Sequence, residues 1–464
     1  MRQKGEAQVK WRFWEKTEPS RGNVAGGNGW NRQACEQWLR GVKGQWEIVL
    51  WSNGLAAVRI LPGGDLHMRH ATLYCVQPLD VAMERVQALA ERFAQAVDMP
   101  KDMSVLVERR GGRIGLTLPL PPCFCRTLSF PAALPADARS PLAVYLGRAD
   151  DGKRLWLALN ESDSPHVLIT GTTGSGKTNL ARGMALSLAQ PNRPGDVALV
   201  LADHKGGYAA LIALPHCAAY ALDVEGEEAL VGWLVERLDR RVSGEERRFP
   251  PIVLFMDEVT DLLMAKGKGL TEGLTRLAQA GRQEGIHLVL CTQRPSATVF
   301  DPMLRGCLPV RIVGKVSSAT DASIAAGLPE TGAQYLTGRG DMLLLANGQQ
   351  VRFQSPHLPE GQLEAAVGIL ASRQRPAWPF PAFQSKERPA PAEPPVSDGD
   401  IRRALQERKN ITTIVYELWG CTGGGRFLPL SRRVRQVQEV MYKEAAATEH
   451  KLIPFPIRPQ RDTS

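Results

Sequence analysis

Apolar residues recur at helical spacing in VAMERVQALAERFAQAV, where Val81, Val86, Leu89 and Phe93 share one side, and predict an amphipathic helix. Strand-like SVLVERR and GRIGLTLPL follow, so residues 81–150 are expected to form a small α+β unit. Between 151 and 372 the pattern changes to strand-sized apolar runs alternating with helical stretches: HVLIT, DVALVLAD, PIVLFMD, IHLVLCTQ and VRIVGKV. Runs of that kind predict an α/β domain built on a mostly parallel sheet. Residues 373–398, RQRPAWPFPAFQSKERPAPAEPPVSD, are proline-rich and predict an extended, semi-rigid linker. Residues 1–80 mix tryptophans and glycines with a strand-like WEIVLW; they show no recognisable chemistry and are read as an accessory region.

Residues 399–450 predict a small helical domain, with 451–464 as a short tail. Asn410 is a good N-cap for a helix carrying Ile411, Ile414, Val415 and Leu418 on one face, and Gly423, Gly424 and Gly425 permit a tight turn. A last helix would bury Leu430, Val434, Val437 and Met441 and turn Arg432, Arg433 and Gln436 outward. Three helices with a basic final one resemble a helix-turn-helix DNA reader, and these three polar residues are the candidate DNA contacts.

The chemistry sits in the α/β stretch. HVLITGTTGSGKTNLARGMALSLA places Gly171, Thr172, Thr173, Gly174, Ser175, Gly176, Lys177 and Thr178 between a strand and a helix. Three glycines let backbone N–H groups and the helix N-terminus face phosphate oxygens. Lys177 can reach the β- and γ-phosphates, and Thr178 can offer its hydroxyl to Mg²⁺. In PPIVLFMDEVTDLL an apolar strand ends on Asp257 and Glu258, one carboxylate for the metal's surroundings and the next to orient and activate a water. No N-K-x-D motif for reading guanine is present, so ATP is the expected nucleotide. GIHLVLCTQRPS poses a further question: an apolar strand stops on Thr292, Gln293, Arg294 and Pro295, polar or constrained residues that a purely core-filling strand does not need.

GTTGSGKT, LPHCAAYALDVEGEEALVGWLVERLDRR, MDEVTDLL, GRQEGIHLVLCTQRPS, VRIVGKVSSATDAS and GRGDMLLL fall in an order and spacing that resembles the FtsK/SpoIIIE family of DNA translocases, over residues 81–355. The resemblance implies a RecA-like motor with a parallel sheet, usually a hexameric ring that encircles double-stranded DNA and pulls it at the expense of ATP and Mg²⁺. It implies that the IHLVLCTQ strand lies between the phosphate-loop strand and the Asp-Glu strand, which makes Gln293 a polar sensor beside the γ-phosphate. Arg282 matches a position where related ring motors supply an arginine finger across a subunit boundary, with Arg294 and Arg276 as fallbacks. Asp203-His204-Lys205 stands where the family usually has Asp-Pro-Lys, implying a structural or coupling role for Asp203 and Lys205. Lys315, Ser317 and Ser318 match a segment facing a neighbouring subunit or the channel.

Composition narrows the setting. Of the net charge of +9, residues 401–464 contribute 12 Lys and Arg against 6 Asp and Glu, a basic tail suited to a polyanion. No apolar run approaches the roughly 18 residues of a membrane span, and the N-terminus lacks a signal-peptide core, so a cytoplasmic protein without direct membrane insertion is expected. The eight cysteines are scattered, with only Cys123 and Cys125 close. Members of the family in cell division carry N-terminal membrane helices and a long linker; a single motor without them resembles the forms of mobile elements, phages or plasmids, with room for a separate membrane or mobile-element protein as partner. The alternatives are a conjugative coupling or DNA-packaging ATPase and, in a different class, a type VII-like protein secretion ATPase.

Overall fold

The structure of the protein is a computed structural model that describes residues 31–78, 81–101, 103–134, 140–293, 301–383 and 396–407, with individual positions between 414 and 441. The chain first forms α1 (Arg32–Ser52), β1 (Arg59–Leu66), β2 (His70–Val76), α2 (Met83–Gln87), α3 (Ala90–Ala96), β3 (Leu106–Arg110) and β4 (Arg113–Pro119). The four strands make an antiparallel sheet in the order β1-β2-β4-β3. The strand expected at WEIVLW is instead the last part of α1. Val42, Trp46 and Leu50 are one turn apart and buried, whereas Ile48 and Trp51 on the other side are exposed. Trp46 packs on Phe93 and donates its indole N–H to the Phe93 carbonyl at 2.8 Å.

The second unit comprises β5 (Ala143–Ala149), β6 (Arg154–Ala158), β7 (His166–Thr170), α4 (Lys177–Ala189), β8 (Ala198–Ala202), β9 (Cys217–Ala221), α5 (Val224–Val242), β10 (Ile252–Met256), α6 (Val259–Lys266), α7 (Lys268–Ala280), β11 (Ile286–Thr292), α8 (Pro302–Gly306), β12 (Val310–Val313), α9 (Ala319–Ala326), β13 (Asp341–Ala346), β14 (Gln349–Gln354) and α10 (Glu360–Ala371). Its ten-stranded sheet runs β6-β5-β14-β13-β12-β7-β11-β10-β8-β9. The pairs from β12 to β9 are parallel and the extension through β13, β14, β5 and β6 is antiparallel.

Both faces of the central strands are covered, which is why their sequences read as unbroken apolar runs. Val167, Ile169, Val253, Phe255, Val289 and Cys291 pack with α4 and α10 on one face. Leu168, Leu254, Met256, Leu288 and Leu290 pack with α5, α6 and α7 on the other. Each such fully buried Leu or Phe contributes about 1.5–3 kcal/mol. The result is the RecA-like P-loop α/β fold, with β11 seated between β7 and β10.

The units fall elsewhere than the expected boundaries at 80 and 150. Residues from Cys35 to Phe124 share one core, because the small sheet takes two strands from each side of residue 80. β5 and β6 belong to the motor sheet. The start of the expected linker is docked: Phe380 and Phe383 pack edge-on against Trp233, and Arg375 donates to the Leu214 carbonyl at 3.2 Å. Beyond it, α11 (Asp398–Gln406) opens with a capping box between Ser397 and Asp400. Ile401 and Ala404 cluster with Ile414, Leu430, Val434 and Val437. Asn410, Ile411, Val415, Gly423, Gly424, Gly425 and Arg432 lie outside the described residues. Among the described residues no helix is long and apolar enough to cross a membrane.

Candidate nucleotide site

β7 ends at Thr170, and the chain turns through Gly171, Gly174 and Gly176 at φ +157°, +80° and +103° before Lys177 opens α4. These dihedrals suit glycine and few other residues. Neighbouring segments hold the loop from outside. Thr172 donates its N–H and its hydroxyl to the Lys315 carbonyl at 2.8 and 3.0 Å. Arg339 N–H reaches the Gly174 carbonyl at 2.9 Å, and Gly340 N–H the Ser175 carbonyl at 2.7 Å. A Cβ on Gly176 would lie 2.9 Å from the Gly340 nitrogen, so the approach is as close as the backbone permits. Lys177 is 5% exposed and donates to the Gly171 carbonyl at 2.7 Å. Burial pushes its pKa down, against the pull of the Glu258 charge.

The acids come from the next strand but one. Asp257 follows β10 and accepts from the Thr178 hydroxyl at 2.9 Å through Oδ2, and from the Glu258 N–H at 3.0 Å through Oδ1. Glu258 adopts the left-handed conformation at φ +48°, uncommon for a non-glycine residue and characteristic of functional sites. Its Oε2 accepts from the Gln293 N–H at 3.3 Å and lies 3.7 Å from Lys205 Nζ. The Gln293 side chain in turn accepts from the Thr173 hydroxyl at 2.7 Å. The oddly polar end of β11 is therefore a bridge: backbone to the acid, amide to the phosphate loop. Thr292, beneath it, pairs with Thr260 at 2.6 Å.

A third wall is built on Asp203-His204-Lys205, the segment after β8. Asp203 is buried and accepts three backbone N–H groups, from Lys205 at 2.9 Å, Gly206 at 3.0 Å and Tyr208 at 2.6 Å. Burial, then the Asp257 charge, pushes its pKa up. The turn so formed sets Gly207 against the corner, where a Cβ would meet Thr178 Cγ2 at 2.8 Å and Asp257 Oδ2 at 3.5 Å. Lys205 pairs with Asp261 at 2.9 Å; although burial opposes its charge, that hydrogen bond and Glu258 hold its pKa up. His204 pairs with the buried Glu227 at 3.1 Å. A single Gly in a G-G pair gives sequence reading little to act on. The GRGD clasp was visible as a motif, but not as a contact.

Other candidates lie apart. Arg282 is exposed on the turn that precedes β11, at the opposite end of the strand from Gln293. With about 3.3 Å per residue, the strand separates the two by roughly 20 Å. The turn is rigidly buttressed: the buried Arg241 donates to the carbonyls of Glu284 and Pro250 at 2.8 and 3.1 Å and pairs with Glu246 at 3.0 Å. Arg276 pairs with Asp239 on the surface. Ser318 caps α9 by accepting from the Asp321 N–H at 3.0 Å, Ser317 is exposed, and Lys315 meets the loop through its carbonyl. Arg294 lies outside the described residues. In the tail Gln436 is exposed, whereas Arg433 does not simply turn outward. It donates to the Val396 carbonyl at 2.8 Å and pairs with Asp398 at 3.2 Å, tying its helix to the start of α11.

Comparison with known proteins gives a consistent set of likenesses. Residues 133–244 and 242–297 match the FtsK/SpoIIIE family. A DNA translocase FtsK of Staphylococcus aureus is 32% identical over 267 residues, 51% of this chain and 33% of that protein. One from Tropheryma whipplei is 29% identical over 330 residues, 64% of this chain and 44% of that protein. The chain thus spans less than half the length of these curated relatives. Among solved structures, the cytoplasmic domain of the Thermomonospora curvata type VII secretion ATPase EccC is 28% identical with a TM-score of 0.47, covering 55% of this chain and 34% of that one. The pCW3 conjugation coupling protein TcpA is 18% identical with a TM-score of 0.45, covering 71% of this chain and 99% of that one.

Proposed function

From the match of residues 133–297 to the FtsK/SpoIIIE family and the likeness to DNA translocases FtsK, we propose that this chain is an ATPase that uses hydrolysis to move double-stranded DNA, working as a ring of like subunits. The observation that carries the reading is the bridge through Gln293, which joins Thr173 of the phosphate loop to the Glu258 carboxylate. A site that only stores nucleotide needs no such connection; a motor must report the state of the γ-phosphate to its moving parts.

Lys177 and the N–H groups of residues 171–178 bind the phosphates of ATP. The corner between Thr178 Oγ1 and Asp257 Oδ2 offers hard oxygen donors, with no Cβ on Gly207 to fill it, and so fits Mg²⁺. When bound there, Mg²⁺ neutralises charge on the β- and γ-phosphates. Glu258 orients the attacking water and accepts its proton, while the Gln293 amide holds the γ-phosphate or that water. Arg282 is too far from its own site to act in it, which supports a finger offered to the neighbouring subunit. There its guanidinium would stabilise charge on the transferred phosphoryl group, an effect of about 10³ or more. The exposed Gln436 and the basic tail are the candidate DNA contacts; Arg433, already engaged by Asp398, serves more to hold the tail together.

The test is ATP turnover with and without long duplex DNA, beside Lys177→Ala and Glu258→Gln. Duplex DNA should raise turnover in the parent and neither variant should respond. Turnover indifferent to DNA but raised by a secreted protein would overturn the assignment.

A further inference from the structure

Away from the nucleotide site, His67, just after β1, and His70, which opens β2, lie against Asp150, which follows β5 in the motor. His70 Nε2 lies 3.2 Å from Asp150 Oδ2. His67 Nδ1 lies 3.6 Å from Asp150 Oδ1, and the two imidazoles stack with centroids 4.4 Å apart. One donor atom from each of the three residues falls within 4.8 Å of the others. We propose that His67, His70 and Asp150 form a binding site for a zinc-class divalent ion that clips the accessory unit to the motor.

Donor spacing is the first support. Ligands on a tetrahedral ion with bonds of about 2.0–2.1 Å stand roughly 3.3 Å apart, close to the 3.2 Å between His70 Nε2 and Asp150 Oδ2; His67 Nδ1 sits against the other carboxylate oxygen at 3.6 Å. Rigidity is the second. The His67 N–H bonds the His70 carbonyl at 2.9 Å, and the Asp150 N–H bonds the Arg352 carbonyl at 3.1 Å, so both backbones are fixed before any ion arrives. Charge is the third. The nearby Arg352 is already matched by Asp341 through bonds of 2.9 and 2.7 Å, which leaves the Asp150 carboxylate to balance a cation. Finally, His67 Nε2 is buried without a hydrogen-bond partner, and the ring is held through Nδ1, 3.2 Å from the Asp150 carbonyl oxygen, a bond that an ion on Nδ1 would replace as the proton leaves. Two imidazoles and one carboxylate suit zinc better than magnesium, which takes oxygen ligands. An open cavity of about 670 Å³, bordered by His67, Asp150 and Asp65, gives water access to a fourth position.

The test uses the full chain, stripped with chelator and kept reduced. Zinc content is counted after equilibrium dialysis, and Co²⁺ is added as a visible probe of tetrahedral coordination. The parent should hold one zinc ion per chain and give a Co²⁺ spectrum without thiolate bands, and zinc should raise its thermal midpoint. His67→Ala and the isosteric Asp150→Asn should each weaken zinc binding by at least about tenfold with ATP binding unchanged. No ion on the parent would mean that the His70–Asp150 contact is only a hydrogen bond. Equal zinc binding by parent and variants, or thiolate bands from Cys123 and Cys125, would place the ion elsewhere; each of these results overturns the site.

Discussion

Gly207→Ala adds one methyl group at the corner where Thr178 and Asp257 meet. The new Cβ would stand 2.8 Å from Thr178 Cγ2 and 3.1 Å from Asp203 Oδ2, against an ordinary carbon–carbon contact of about 3.5–4.0 Å. Something must move by roughly 0.7 Å. Asp203 is pinned by three backbone N–H groups, so the strain falls on Thr178. Its branched side chain has few rotamers open to it in a helix, and turning Cγ2 away carries Oγ1 off Asp257. Overpacking of this kind costs about 1–3 kcal/mol. Concentrated on this corner, it corresponds to a loss of roughly 5- to 150-fold in the handling of Mg²⁺-ATP. The assay is a Mg²⁺ titration of ATP turnover, paired with binding of a fluorescent ATP analogue in chelator. Metal-free binding should stay near the parent, since Lys177 and the loop backbone are untouched, while the Mg²⁺ requirement rises and turnover falls. Gly232→Ala is the control, because its Cβ would meet nothing within 4 Å. A Gly207→Ala protein with the parent's Mg²⁺ dependence and rate would refute the reasoning.

Gln293→Ala should bind ATP normally yet lose about a hundredfold in DNA-stimulated turnover, read by binding and hydrolysis measured side by side; parent rates would remove the sensor role. Arg282→Ala should lower turnover by about 10³ and regain part of it when mixed with Glu258→Gln subunits, since each then supplies what the other lacks; a mixture no better than its components would exclude a finger acting between subunits. Deleting residues 399–464 should weaken duplex binding and flatten its dependence on salt; identical binding across a salt series would take the tail out of DNA recognition.

Chemistry carried by contiguous residues was legible in the sequence. The phosphate loop needs its strand, glycines, lysine and threonine in one unbroken run, and the Asp257–Glu258 pair sits at the end of an apolar strand. WEIVLW misled because a short apolar run fits a strand and a buried helix equally, and only the partners of Trp46 and Leu50 decide between them. Gly207, the Gly340 clasp and Asp150 act through contacts with residues far along the chain, which periodicity does not register. The boundary expected at residue 80 fell inside a sheet for the same reason: β2 pairs with β4 across the intervening helices. For Arg433, helical spacing gives the side it faces, but not the Asp398 that it meets there.

The central claim is movement along DNA, and displacement of a third strand tests it most directly. A triplex-forming oligonucleotide is placed at one end of a long linear duplex, and its release is followed after the full chain and Mg²⁺-ATP are added. The account predicts release that needs hydrolysis, lags longer as the duplex between loading site and triplex is lengthened, and disappears with Glu258→Gln. Hydrolysis stimulated by duplex while the triplex stays in place, or release that proceeds equally with Glu258→Gln, would contradict it.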